Sequence, residues 1–185
     1  DLSVGSLFGF CPVLMWTLYN TGVTSIEVGF AISLIAAISV GLVSGLLVTQ
    51  LKIPSFLVTL GMLLVVRGTA LFVTSGFPQR TWKAEDLLLG QILVGNFNIA
   101  GLRIYMSLLW FVAAAVLLSY VLTRTRIGNW IQAAGGDAHA ARARGVDVDL
   151  TKVKLFILSA VMAGFAGIVS SIRTAAANPN SGTGY

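Results

Sequence analysis

The chain has 185 residues and a net charge of +5, with 56% hydrophobic and only 10% charged residues, at a mean hydropathy of +0.88 and a pI near 9.8. Soluble domains carry about 25% charged residues, so this composition excludes an ordinary soluble globule and points to a membrane protein built as one helical bundle. The positive charges lie mostly between apolar runs rather than along one surface, which argues against a nucleic-acid partner. Cys11, the single cysteine, falls inside an apolar run and can form neither a disulfide nor a cysteine metal site within the chain.

Asp1 stands directly before an apolar run, no short charged-then-apolar leader is recognisable, and residues 178–185 read as a loop-like tail, so a piece of a longer protein is expected. Five apolar stretches follow, at residues 2–19, 28–51, 53–75, 104–122 and 155–177. Each runs about 18 to 24 residues, and about 20 cross the roughly 30 Å hydrocarbon core. The expected fold is therefore all-α, a polytopic membrane bundle of about five spans in a single domain over residues 1–185. Pro12 lies in the middle of the first span and is expected to kink or break it, a device that serves packing or lines a cavity. Gly5/Gly9 and Gly41/Gly45 form GxxxG pairs, which allow close helix approach inside one bundle or at a dimer face. At about 1.5 Å per residue the second span would be roughly 36 Å long and should tilt. Pro54 opens the third span, where a proline costs little. LLLGQILVG, at residues 87–95, is too short to span and is expected to be re-entrant or interfacial.

Lys and Arg orient the spans. Residues 123–154 carry Arg124, Arg126, Arg142, Arg144, Lys152 and Lys154 and are expected to be cytoplasmic. Alternation then places residues 21–27, 77–103 and 178–185 outside and Lys52 inside. The outer segment 77–103 has Arg80, Lys83 and Arg103, half the cationic count of the cytoplasmic one.

Inside that cytoplasmic segment, GGDAHAARARGVDVDLTKVK at residues 135–154 interrupts the apolar pattern. Gly135 and Gly136 can break the incoming backbone, and Asp137 is a good N-cap. Ala138 to Arg144 are seven residues of high helix propensity, with Arg142 and Arg144 suited to the last turn and Gly145 to the C′ position. Asp149 is expected to cap a second helix that runs into the fifth span. A two-turn helix is marginal in water, so either something docks on it or the stretch is a solvated loop.

GGDAHAARARGVDVDLTKVKLFILSAVMAGFAGIVSS resembles the cytoplasmic loop and following helix of bacterial ABC importer permeases, closest to the ribose/xylose/arabinose/galactose class. DLSVGS (1–6), KIPSFLVTLGMLLVVRGTALFVTSG (52–76) and NPNSGTGY (178–185) resemble motifs of that family in the same order, and segment 77–103 resembles it least. The resemblance implies that residues 136–146 form a coupling helix seated in a groove of a separate cytoplasmic ATPase, with Gly136, Asp137, Ala141, Arg142, Gly145 and Val146 matching the family pattern. Ala138 and His139 stand where the family often has acidic residues, a departure that bears on an ion pair with the ATPase. The implied partners are that ATPase, which carries ATP and Mg, an extracellular or periplasmic sugar-binding protein, a second permease subunit forming a homodimer, and membrane lipid. The implied location is a bacterial plasma membrane.

Residues for the solute path are chosen by chemistry alone. Arg67 lies mid-span, where an unshielded charge costs roughly 2.5–3.5 kcal/mol, so it should face protein or water. It either lines the path or is satisfied by neighbouring carbonyls and hydroxyls. Phe56, Thr59 and Asn178 offer aromatic and polar contacts of the kind sugars need. Arg173, near the outer end of the fifth span, can snorkel to the interface.

Three function classes compete. An ATP-driven translocation subunit fits the absence of any GxxxxGK[ST], which leaves ATP chemistry to a partner. An ion-coupled secondary transporter of a small polar solute is the alternative, but such proteins carry acids or His within spans, whereas Glu27, Glu85 and Asp86 fall in loops. A membrane enzyme finds no paired carboxylates, no Cys/His cluster and no HExxH, and His139 stands alone.

Overall fold

The computed structural model describes residues 1–81, 87–99 and 102–184. Its helices are α1 (Val4–Asn20), α2 (Ile26–Gln50), α3 (Ser55–Thr74), α4 (Leu88–Val94), α5 (Met106–Arg124), α6 (Arg126–Gly136), α7 (Ala138–Ala143) and α8 (Val148–Thr174). Among the described residues there are also four short strands: β1 (Gln79–Arg80), β2 (Asn96–Ile99), β3 (Leu102–Tyr105) and β4 (Ala176–Ala177). Antiparallel β1–β4 and β2–β3 pairs lie at the ends of the long helices. α2, α3, α5 and α8 are long and apolar enough to cross a membrane. α1, at 17 residues, is at the lower end of the crossing range of about 17–25.

α1 is the centre of the bundle, packed against α2, α3 and α8. Leu7, Cys11, Val13, Met15 and Trp16 are all fully buried along it. The outward faces of α3 and α5 remain apolar and exposed, as at Phe72 and Phe111, which is the expected state of a surface solvated by lipid. No residue of α5 is buried, so it stands at the edge, tied by the Trp110 indole N–H donating to the Ile92 carbonyl of α4 at 3.1 Å.

Pro12 does not break α1, which runs through it without interruption. Proline has no N–H to give the carbonyl four residues back, and α8 comes in against that Phe8 carbonyl through Gly167. Pro12 is fully buried in packed helix, so its place here is in close packing. The two GxxxG pairs meet different partners. A Cβ on Gly41 would lie 2.7 Å from the Ile157 Cα and one on Gly45 2.9 Å from the Val153 Cα, so that pair seats α8 on α2. Gly9 faces the tail instead, 2.8 Å from the Ser181 carbonyl by the same measure. Both pairs serve packing within one bundle. The buried Trp16 indole N–H, donating to Ser171 Oγ at 3.2 Å, ties α1 to α8 again.

Two expectations need correction. The helix that runs into the fifth span is α8 as expected, but it begins at Val148 and its cap is Asp147 rather than Asp149, with the Asp147 Oδ1 accepting from the Leu150 N–H at 2.9 Å. Asp149 lies in the first turn instead and pairs with Arg142. Gly135 and Gly136 also fail to break the backbone, because both finish α6. Thr125 caps that helix, its hydroxyl accepting from the Gly128 N–H at 3.2 Å, and Ile127, Trp130 and Ile131 turn toward Leu155 and Leu158 of α8. The seven-residue helix α4 occupies the segment expected to be re-entrant or interfacial, with Leu93 and Val94 buried. Lys83, Glu85, Asp86 and Tyr185 lie outside the described residues.

Candidate functional site

The polar interruption folds as a helix held at both ends. The Asp137 carboxylate accepts from the backbone N–H groups of His139 at 2.8 Å and Ala140 at 3.1 Å, which satisfies donors that the first turn of α7 leaves open. At the other end Gly145 takes φ +81°, its N–H donates to the Arg142 carbonyl at 3.0 Å, and the Val146 N–H donates to the Ala141 carbonyl at 3.1 Å. Those two bonds are a Schellman cap, and half-buried Val146 closes over buried Ala141.

Of the six residues expected to couple, Gly136 ends α6, Asp137 and Gly145 frame α7, and Ala141 is its one buried residue. Arg142 donates to Asp149 Oδ1 at 2.9 Å, fastening α7 to the first turn of α8; with both side chains about half exposed, this pair adds little stability. His139, Ala140, Ala143 and Arg144 are exposed. The result is a short helix with fixed ends, anchored on α6 and α8, that presents small and cationic side chains outward. Among the described residues no group of three His, Cys, Asp or Glu side chains could hold a metal.

The backbone hydrogen bonds from Ala140 and then His139 hold the Asp137 carboxyl below its ordinary range. A depressed folded-state value means that the cap is fully effective above the usual aspartate value of about 3.9 and is lost as pH falls through the lower folded-state value. The protection factors of the His139 and Ala140 N–H groups, taken against their intrinsic exchange rates, are therefore expected to fall on acidification below that value. Asp137→Asn should keep protection with no such pH dependence, and Asp137→Ala should lose it at every pH. A wild-type profile as flat as that of the Asn variant would show that the carboxylate does not cap α7.

The four solute-path residues do not converge. Phe56 is 60% exposed while Thr59, one turn along α3, is 1% exposed. The Thr59 hydroxyl donates to the Ser55 carbonyl at 2.9 Å, as Thr69 and Thr74 do to carbonyls of their own helix. Arg67 lies two turns further along, half-buried, and its Nε is buried without a hydrogen-bond partner among the described residues. Asn178 is in the tail beyond β4, its carboxamide oxygen accepting from the Asn180 N–H at 2.9 Å. Arg173 is exposed with its guanidinium 5.3 Å from the centre of the Tyr105 ring. Residues 126–136 were the missed part of the site. The apolar spacing of Ile127, Trp130, Ile131 and Ala134 marks one helix face there, and Thr125 supplies its cap.

Along residues 1–185 the chain matches the family described as "Branched-chain amino acid transport system / permease component". The ribose import permease protein RbsC of Escherichia coli strain K12 is 32% identical over 186 residues, covering 100% of this chain and 56% of that protein. The L-arabinose ABC transporter permease protein AraH of Azospirillum brasilense is 32% identical over 184 residues, covering 100% of this chain and 52% of that protein. The autoinducer 2 import system permease protein LsrC of Salmonella paratyphi B is 34% identical over 185 residues, covering 100% of this chain and 51% of that protein. The chain thus spans about half the length of the curated relatives it matches. No solved structure matches it significantly.

Proposed function

Because the chain belongs to the branched-chain amino acid transport system / permease component family, we propose that it is part of the membrane-spanning translocation subunit of an ATP-driven importer for a simple sugar. The observation that carries this reading is end-to-end similarity to permease proteins named for ribose and L-arabinose import. In this reading α7 is the coupling helix, and Gly136, Asp137, Ala141, Arg142, Gly145 and Val146 form the part that a cytoplasmic ATPase grips. ATP and Mg belong to that ATPase. A binding protein delivers the sugar from outside, and a second copy of the permease completes the path in the plasma membrane. Residues 123–154 lie on the cytoplasmic side.

The shape of α7 supports the assignment. A two-turn helix does not hold itself in water, and this one is capped at both ends while the exposed Arg144 at its end makes no ion pair among the described residues. Among the described residues, acids within the helices long enough to span are confined to first turns, as at Glu27 and Asp149. That distribution favours ATP coupling over an ion-coupled carrier, which needs an ionisable group at membrane depth.

The test is transport in proteoliposomes holding the full-length protein, its ATPase and its binding protein. Accumulation of labelled ribose or arabinose is expected to require ATP and to stop when the ATPase is omitted. Collapsing ion gradients should leave it unchanged. Uptake that follows an ion gradient without ATP would return the chain to the secondary-transporter class.

A further inference from the structure

The turn between α2 and α3 and the first turns of α8 enclose an open cleft beside α7. Lys52, Arg142 and Lys152 line it, Asp149 is the one carboxylate on its wall, and Val48 and Ile53 supply an apolar side. Arg142 and Asp149 satisfy each other at 2.9 Å. Lys52 and Lys152 form no ion pair among the described residues, so the cleft keeps a positive excess. Lys52 sits at φ 55°, a left-handed backbone that side chains other than glycine rarely adopt. From that turn Lys52 lines the cleft.

Depth identifies the kind of ligand. α2 ends at Gln50 and α3 starts at Ser55, and both are membrane-crossing helices, so the turn between them lies at the headgroup layer. α8 has 27 residues, about 40 Å of helix at about 1.5 Å per residue against roughly 30 Å of hydrocarbon, and its first turns therefore project into the same layer. Basic pockets between transmembrane helices at this depth bind phosphate-bearing lipid headgroups. We propose that this cleft binds the phosphate of an anionic phospholipid, with Lys52 and Lys152 as its cations and the Val48–Ile53 side receiving the start of an acyl chain. The apolar side and the headgroup depth favour a lipid over an acidic protein segment. Its two lysines belong to α8 and to the α2–α3 turn, and of the residues assigned to coupling only Arg142 reaches the cleft, where Asp149 holds it.

The experiment uses the full-length protein in nanodiscs of phosphatidylcholine with a minor fraction of phosphatidylglycerol, followed by native mass spectrometry. Phosphatidylglycerol is expected to stay bound above its share of the bilayer. Lys52→Gly combined with Lys152→Ala should lower that excess on the order of tenfold. Glycine suits the left-handed turn, so loss of lipid in this variant does not reflect a broken α2–α3 connection. Lys154→Ala is the control, since Lys154 lines a different cleft beside α6, and it should retain the lipid. Unchanged retention in the double variant overturns the proposal, and so does equal loss in the control, which would reflect bulk charge. Displacement by inorganic phosphate as effective as phosphatidylglycerol itself would make the site one for a free anion and end the lipid assignment. A double variant that keeps the lipid but no longer co-purifies with the ATPase would show that the cleft faces that partner, and the proposal would fall.

Discussion

Gly145→Val in the full-length protein is expected to leave membrane insertion intact, abolish co-purification with the ATPase and reduce its ligand-stimulated activity to the basal level. Gly145 is exposed and lies outside the membrane-crossing part of the chain, so nothing in the bundle depends on its size. It does depend on backbone, because φ is +81° there. A left-handed residue with a Cβ costs roughly 1–2 kcal/mol, and a β-branched one is a genuine outlier. Relaxing to a negative φ breaks the two capping bonds, Gly145 N–H to Arg142 and Val146 N–H to Ala141. α7 has six residues and little intrinsic stability, while about 1.4 kcal/mol already shifts a local equilibrium tenfold. The helix should therefore unwind from its C-terminal end and present the wrong surface. Gly145→Asn separates backbone from side chain, since asparagine visits the left-handed region, and it should keep most of the coupling. Gly135→Ala should be silent, with nothing within 4 Å of the added methyl. If the valine variant still binds and is stimulated, α7 does not carry the coupling and the family resemblance has misplaced it.

The signals that made α7 legible are local. An aspartate, seven helix formers and a glycine define its length and both caps without tertiary information, and the long helices were visible for the same reason, in uninterrupted hydrophobicity. What was not legible depends on partners far away in the chain. Asp147 and Asp149 each follow a valine at the mouth of the same apolar run, so either can cap. The choice is made by Arg142, which engages Asp149 across the loop, and by the Thr151 hydroxyl donating to the Asp147 carbonyl at 2.7 Å. The GxxxG pairs announced close approach but not to what, and one pair met a helix while the other met the tail. α6 was hidden because Gly135 and Gly136 signal a break, yet a helix with its apolar face on α8 tolerates both at its last turn. The solute-path residues were chosen by functional group, and α3 uses one of those groups itself, with the Thr59 hydroxyl donating to the Ser55 carbonyl.

Gly167→Ala is expected to be the most damaging small substitution in the bundle, costing about 3 kcal/mol or more and sharply reducing folded yield. The added methyl would overlap the Phe8 carbonyl oxygen, with the Phe8 carbonyl carbon at 2.8 Å and its Cα at 3.0 Å. These are backbone atoms of a buried helix, and no rotamer change moves them. α8 cannot retreat either, because its other side is seated on α2 through Gly41 and Gly45. Separating α1 from α8 would also stretch the Trp16–Ser171 hydrogen bond, buried at 3.2 Å, and an unmet buried donor costs about 1–3 kcal/mol. Gly164→Ala, one turn earlier, tests the reasoning because its obstacle is a side chain, the Cys11 Sγ at 2.7 Å. That variant should be impaired less and restored by Cys11→Ala, whereas Gly167→Ala should gain nothing from the same second substitution. Gly68→Ala has nothing within 4 Å, so on the open face of α3 the same exchange should gain up to about 1 kcal/mol from helix propensity alone. Thermal unfolding of the full-length protein in detergent, followed by Trp fluorescence, reads all five variants. If Gly167→Ala unfolds within a few degrees of wild type, the α1–α8 crossing has slack, and the close packing at Phe8 does not hold the bundle together.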